Sequence, residues 1–451
     1  MQPYEMTAAE AARAIRNKTL SALELVDSLL DRIARVERRI RAWVHVDAQG
    51  ARCQAKVLAD EAIRGRFRGL LHGVPFAAKD IFYSEGLPTE GGSKVLKGFI
   101  PTYNATTVAR LQAAGAILLG KTHTTEFAVS DPAPTRNPWN RKHSPGGSST
   151  RSAAAVAAAM VPLALGSQTG GSNLRPASFC GLAGLKASFG RVSLHGVLPL
   201  SWSLDHVGFM ARSVEDLGLL LQATAGFDPQ DLSSSAEPIG SYAAAAVEPG
   251  RPPRIGVLRR FFFDTTIAHA EVVTVVDAAV KQLKAAGAPM CDAELPQSFF
   301  AIHAAHFVSE ESELADAHAD FYAMKRHLYR PLMRQSVELG FLIPGDLHVR
   351  AHRIRRQFRR EITEVLRDFD VLVMPTSCTT APPTIKNTGD WKFQSPWSAS
   401  GLPSMTLPCG LSPAGLPVGL QLVGAPFAEE KLLRAGAWCE TVLGRGPLTA
   451  L

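Results

Sequence analysis

The chain has 451 residues, 46% of them hydrophobic and 20% charged, with 48 Lys and Arg against 41 Asp and Glu for a net charge of +7. That composition excludes an intrinsically disordered chain, which combines low hydrophobicity with high charge. Six cysteines in this length exclude a disulfide-stapled miniprotein.

Residues 1–14 are mixed and slightly acidic, unlike a secretory leader. Ser21 and Glu24 form a capping box, and Leu25, Leu29, Ile33 and Val36 follow at helical spacing. Gly73–Lys79 reads as a short buried strand, 107–114 as a helix, and 116–120 and 162–167 as strands. The apolar run 153–165 is too short to span a membrane and contains Pro162. From 226 to 345 the pattern is mostly helical, with one strand-like piece at 254–258 and the aromatic run Phe261, Phe262, Phe263. Strands are expected at 370–375, 403–408 and 418–423, then a helix over 428–442. The Arg-rich stretch 353–360 reads as a solvated helical face, since no nucleic-acid recognition motif accompanies it. The cysteines (Cys53, Cys180, Cys291, Cys378, Cys409, Cys439) have no metal-ligand spacing, and His303 and His306, three apart, read as incidental. The fold class is α/β, a mixed twisted central sheet flanked by helices on both sides. The expected organisation is a single domain over 1–451. It divides into an N-terminal helical region (1–66), a catalytic core (67–225), a variable substrate-side region (226–345) and the C-terminal part of the core (346–451).

The chemistry concentrates between Ser144 and Arg191. Ser148 and Ser172, each preceded by Gly-Gly, stand 24 residues apart and bracket a helix and a strand. The chain can double back so that both meet, and successive glycine N–H groups can converge on an anion. One such cluster alone reads as a loop. Two of them, with Lys79 at the end of an apolar strand, point to a site.

These residues resemble the amidase signature family. The resemblance rests on Gly146-Gly147-Ser148-Ser149, Thr169-Gly170-Gly171-Ser172 and the following Arg175-Pro176-Ala177-Ser178-Phe179-Cys180-Gly181. Outlying matches are Gly73–Asp80, Gly120-Lys121-Thr122, Glu126-Phe127-Ala128, Ser203–Gly208, Asp370–Thr376 and Leu416–Gln421. It implies the amidase-signature fold and a Ser–Ser–Lys triad: Ser172 as nucleophile, Ser148 as the bridging serine at a cis peptide, and Lys79 as general base. It also implies an oxyanion hole from the N–H groups of Thr169, Gly170, Gly171 and Ser172. Lys79 can act as a base only when neutral, so its pKa is expected below the usual value of about 10.4. Asp80 would oppose this and is therefore expected to face outward.

Three positions depart from the family pattern. Thr150-Arg151 follow Ser149 where glycine is usual, leaving the Arg151 guanidinium open between the site entrance and solvent. Gln168 stands where Asp is common, with Leu174 two residues after Ser172 and Arg175 one later. Ala187 replaces a common Pro. Cys180 reads as a buried filler. Asp205, His206 and Glu126 are divided between site and structural roles. Weak substrate-binding candidates are Gln168, Trp202, Ser377 and Trp397.

The function expected first is a serine hydrolase that cleaves the C–N bond of carboxamides through an acyl-enzyme on Ser172, extending to aryl esters, anilides and carbamates (urethanes). Two alternatives are carried with it: the A-type subunit of a tRNA-dependent amidotransferase working with a partner chain, and a non-catalytic binding relative. No metal or cofactor is expected. The expected partners are a small-molecule amide, ester or carbamate, without nucleic acid or membrane, a homodimer being left open. The expected location is the cytoplasm.

Overall fold

Period-two alternation explains how the central strands divide the core. In β2 (Pro75–Lys79), Phe76 and Ala78 join one buried cluster and Ala77 the other. In β4 (Leu163–Gln168), Leu163 and Leu165 follow the first and Ala164 the second. Both strands are buried along their whole length, as expected for strands covered on both faces. The remaining strands are β1 (Trp43–Val46), β3 (Ile117–Thr122), β5 (Ala183–Lys186), β6 (His206–Ala211), β7 (Ile255–Val257), β8 (Met290–Asp292), β9 (Val371–Pro375), β10 (Ser404–Leu411) and β11 (Pro417–Val423).

In this computed structural model all eleven form one mixed sheet of order β1-β3-β2-β4-β6-β5-β10-β11-β9-β7-β8. The described residues are 2–129, 131 and 134–449; residues 1, 130, 132, 133, 450 and 451, which fall in the expected 1–66, 67–225 and 346–451 regions, lie outside them. Helices pack on the two faces, the second face carrying Ala22–Ile40, Ala48–Ile63 and Thr150–Ala157.

The expected strands form with shifts of one to three residues at their ends. The expectation that 1–66 is helical misses β1, whose four half-exposed residues carry little pattern. In 226–345 a second short strand, β8, joins β7 at the sheet edge. The aromatic run is central to a third core: Phe262 packs against Phe299, Phe393 and Trp397. Among the described residues no helix is long and apolar enough to cross a membrane.

Candidate active site

Lys79 closes β2 on the Ala77 face, toward the Thr150–Ala157 helix. Its side chain is fully buried, and Nζ lies 2.7 Å from Ser148 Oγ and 2.8 Å from Ser167 Oγ. Ser148 is brought there by its neighbour. The Ser149 hydroxyl accepts from the Ser167 N–H at 3.1 Å and donates to the Ser167 carbonyl at 3.2 Å, pinning the first Gly/Ser cluster to β4. The Ser149 N–H donates to the Ser172 carbonyl at 3.1 Å, so the second cluster lies directly alongside. The Gly147–Ser148 peptide bond is cis, and Arg175 donates to the Gly147 carbonyl at 2.7 Å.

Burial pushes Lys79 down to about 7, the charge of Asp205 opposing the shift and that of Arg151 reinforcing it. Removing an ammonium from water is costly unless the proton leaves, so the interior favours the neutral amine. Asp80 does not face outward. A register shift between Phe76 and Ala77 pairs Ala78 with Lys121 and Lys79 with Thr122. This puts Lys121 on the opposite face from Lys79, where the buried Asp80 carboxylate meets it at 3.5 Å. Burial raises Asp80 to about 6 against the pull of Lys121.

Gln168, the last residue of β4, shapes the second cluster. Its Oε1 accepts the N–H groups of Asn173 (3.1 Å) and Leu174 (2.9 Å) at the start of the Leu174–Phe179 helix, and its Nε2 donates to Ser398 Oγ at 3.1 Å. A side chain thus bridges the two ends of the 169–173 loop. Ser398 in turn donates to the Gly170 carbonyl at 2.9 Å. Thr169 donates to Asp205 at 2.5 Å, and Asp205 also accepts from the N–H groups of Leu200 and Ser201. Among the described residues no acceptor takes the N–H groups of Thr169, Gly170, Gly171 or Ser172. His206 sits behind the loop, its Nδ1 2.6 Å from the Leu204 carbonyl, and burial holds the ring neutral.

The facing wall holds residues to which the sequence reading gave no role: Trp391 and Gln394, which it did not name, and His306, which it set aside as incidental. His306 places Nε2 3.0 Å from the Thr169 carbonyl, so that nitrogen carries the proton, and its ring packs on Trp391 with centroids 5.0 Å apart. Burial holds His306 down to about 4 and lifts the neighbouring Glu310 to about 8, leaving both uncharged at neutral pH. Gln394 approaches so closely that a Cβ on Gly171 would lie 2.4 Å from its Oε1, so any side chain there would displace the Gln394 amide. These residues lie on segments remote in sequence, and no spacing rule links them to Ser172. Ser167 stood at the end of the expected 162–167 strand, and strand periodicity alone gave it no role.

Other candidates fall elsewhere. Trp397 is buried in the aromatic core and donates to the Phe393 carbonyl. Trp202 is 58% exposed and stacks on His352. Ser377 is buried beside the Thr376 carbonyl that Gln394 engages. Glu126 ties Ser93 to the Arg330 N–H. Cys180 is buried, and its thiol is pushed well above the usual range. Arg151 does not point to solvent: it is fully buried, and among the described residues Nε and both terminal nitrogens have no hydrogen-bond partner. Burial and the nearby Arg330 lower it to about 9.

The mixed sheet brings a buried lysine, two Gly/Ser clusters and, among the described residues, four unengaged backbone N–H groups together, the parts that acyl transfer needs. The amidase family model matches residues 24–433, and the chain belongs to the amidase (amidase signature) family. It is an amidase-signature enzyme with the chemistry of an amidase-type hydrolase. The A chain of glutamyl-tRNA(Gln) amidotransferase from Anaeromyxobacter sp. (strain K) is 37% identical over 97% of this chain and 96% of its own. Its counterpart of the same name from Roseiflexus castenholzii is 38% identical over 96% of this chain and 95% of its own. Among solved structures, a protein from a vestigial complex that reveals the origins of an s-triazine catabolic enzyme has a TM-score of 0.90 at 33% identity, covering 98% of this chain and all of that one. The peptide amidase from Stenotrophomonas maltophilia has a TM-score of 0.87 at 30% identity, covering 99% and 98%.

Two expectations are corrected by these relatives. A free-standing hydrolase of amides, esters and carbamates was placed first, whereas the near full-length match to A-type amidotransferase subunits favours the alternative. Nucleic acid was excluded as a partner, whereas those relatives are named for a tRNA. The physical reason is common to both. The motifs read along the chain speak only of amide cleavage, and where a released ammonia would go is not written in them.

Proposed function

We propose that this chain is the amide-cleaving subunit of a tRNA-dependent amidotransferase, working with a companion chain. The observation that carries the reading is identity of 36–38% to such A-type subunits, sustained over at least 95% of both chains. The site supplies the chemistry. Ser172 Oγ attacks the carbonyl carbon of a carboxamide donor while its proton passes to Ser148 Oγ and the Ser148 proton to neutral Lys79. The N–H groups of residues 169–172 hold the developing oxyanion. The proton returns through Ser148 to the departing nitrogen, the C–N bond breaks and ammonia leaves. Water then releases the acyl group by the reverse path. The link from Ser148 to Ser172 is the one hydrogen bond of this relay not already formed, and such bonds often tighten only with substrate bound.

The test is amide transfer from glutamine to glutamyl-tRNA, with the chain alone and with companion subunits of the amidotransferase. Ammonia release is expected to rise at least about 10-fold with companions and acceptor, to be coupled to amidation of the tRNA, and to vanish in Ser172→Ala, a loss of at least about 10³-fold. Fast turnover of free amides by the lone chain, unmoved by companions, would overturn the reading.

A further inference from the structure

The Arg-rich stretch that sequence reading set aside as a solvated face has a second side. The Gly345–Val365 helix exposes Arg350, Arg353, Arg356 and Arg360, spaced three, three and four residues apart and so on one stripe about 15 Å long. Among the described residues, the ion pairs made by this segment are His352–Glu313 and Arg367–Glu364, so none of those four arginines is spent in a salt bridge. Beside the stripe opens a cleft lined by Phe189, Ser203, His352, Arg355, Arg356 and Arg359. Its floor is fixed: Arg355 donates to the Ala399 carbonyl (3.0 Å), Ser203 Oγ (2.6 Å) and the Ser203 carbonyl (2.7 Å). At its mouth the exposed Trp202 lies nearly parallel to the His352 ring, centroids 5.8 Å apart and planes 16° from parallel.

Apart from the exposed Asp346 in the first turn of this helix, the acidic groups nearby are already occupied. Glu313 is buried and accepts from Ser201 Oγ, the Ser203 N–H and Oγ, and His352. Glu361 accepts from Ser298 and Gln357. Glu364 pairs with Arg367 at 2.6 Å. Uncompensated guanidinium groups in a row, a concave cationic cleft and one exposed indole are the combination that binds single-stranded nucleic acid: cations track phosphates and the aromatic ring stacks on a base. We infer that the Arg350–Arg360 stripe and the adjoining cleft bind single-stranded RNA, with phosphates on Arg353, Arg356, Arg359 and Arg360 and an unpaired base on Trp202. The choice of RNA among polyanions rests on the function proposed above.

The test is fluorescence anisotropy of a labelled single-stranded RNA dodecamer with the full chain. Four phosphate contacts predict a log–log salt slope near −3, so affinity falls roughly 50-fold between 50 and 200 mM salt. The triple variant Arg353→Gln, Arg356→Gln, Arg360→Gln is expected to lose at least about 10-fold in affinity and most of that slope. Trp202→Ala should lose about 5-fold or more while keeping the slope. Both variants should retain amide cleavage, which also reports that they are folded. Absence of RNA binding, unchanged binding by the triple variant, or equally tight binding to vesicles of anionic phospholipid would overturn the inference. Failure here with companion-stimulated amide transfer intact would sink the cleft and leave the proposed function standing; RNA binding by a chain indifferent to companions would do the reverse.

Discussion

Three influences set the protonation of Lys79: burial, which lowers its pKa, the charge of Asp205, which raises it, and the charge of Arg151, which lowers it. With the folded value at about 7, the neutral base accumulates as pH rises, so activity should climb through pH 7 and level off on the alkaline side. The two charged neighbours allow a sharper check. Arg151→Met removes a cation, eases proton binding at Lys79 and should move the profile to higher pH. Asp205→Asn removes an anion and should move it to lower pH. Rate profiles from pH 5 to 10 for the three proteins decide the matter, and shifts of the same sign would show that neither charge acts on the base. Among the described residues the buried Arg151 guanidinium has no hydrogen-bond partner, so Arg151→Met should also raise the melting temperature, because replacing a buried charge by an apolar side chain is often stabilising. That Lys79, Ser148 and the Ser172 segment come together was legible because motifs fix these residues along the chain. The fate of Arg151 was not, since exposure depends on which helix face the fold covers.

Gln168 illustrates what an element contributes that a motif does not. Read from sequence, it was a neutral amide where Asp is common and a weak substrate-binding candidate. In the folded chain it is first a cap, satisfying two N–H groups at the start of the Leu174–Phe179 helix, which otherwise has no side-chain cap at Asn173. Gln168→Ala should therefore cost about 1–3 kcal/mol for each buried N–H left unpaired, read as a fall in the denaturant midpoint. Gln168→Glu keeps the acceptor but loses the donor to Ser398 and adds a negative charge, so it should preserve most of the stability while lowering the rate. A rate loss in Gln168→Glu no larger than its stability loss explains would mean that charge is irrelevant there. Strands β2, β4, β9 and β11 were legible as apolar runs bounded by Gly or Pro. Strands β1, β5, β6 and β8 were missed because they are short or lie inside segments whose small and polar residues read as loop.

Across the whole molecule the sheet threads every part of the sequence. β5, from the first half, pairs with β10, from the last fifty residues, and β7 and β8, from the middle region, are reached only through β9. No boundary between the expected regions falls between separable sheets. Thermal unfolding should therefore show one calorimetric transition whose van't Hoff and calorimetric enthalpies agree. Two resolved transitions would mean that the middle region melts as a unit of its own. Function was the least legible property at this scale. The motifs around Lys79, Ser148 and Ser172 speak only of amide cleavage, and whether ammonia is discarded or handed on is not written in them.

The side-chain bridge from Gln168 to Asn173 and Leu174 has an evolutionary corollary. It makes the nucleophile's own segment a closed arch, tied also to Ser398 and Asp205, that cannot flex to suit a new donor without breaking several bonds at once. The wall opposite is built differently. Trp391 and Gln394 come from one distant segment and His306 from another, each resting against the arch rather than being part of it. Divergence in donor choice within this lineage would then accumulate on that opposing wall, leaving the arch nearly unaltered: one half of the cleft conserves the reaction and the other is free to change its object.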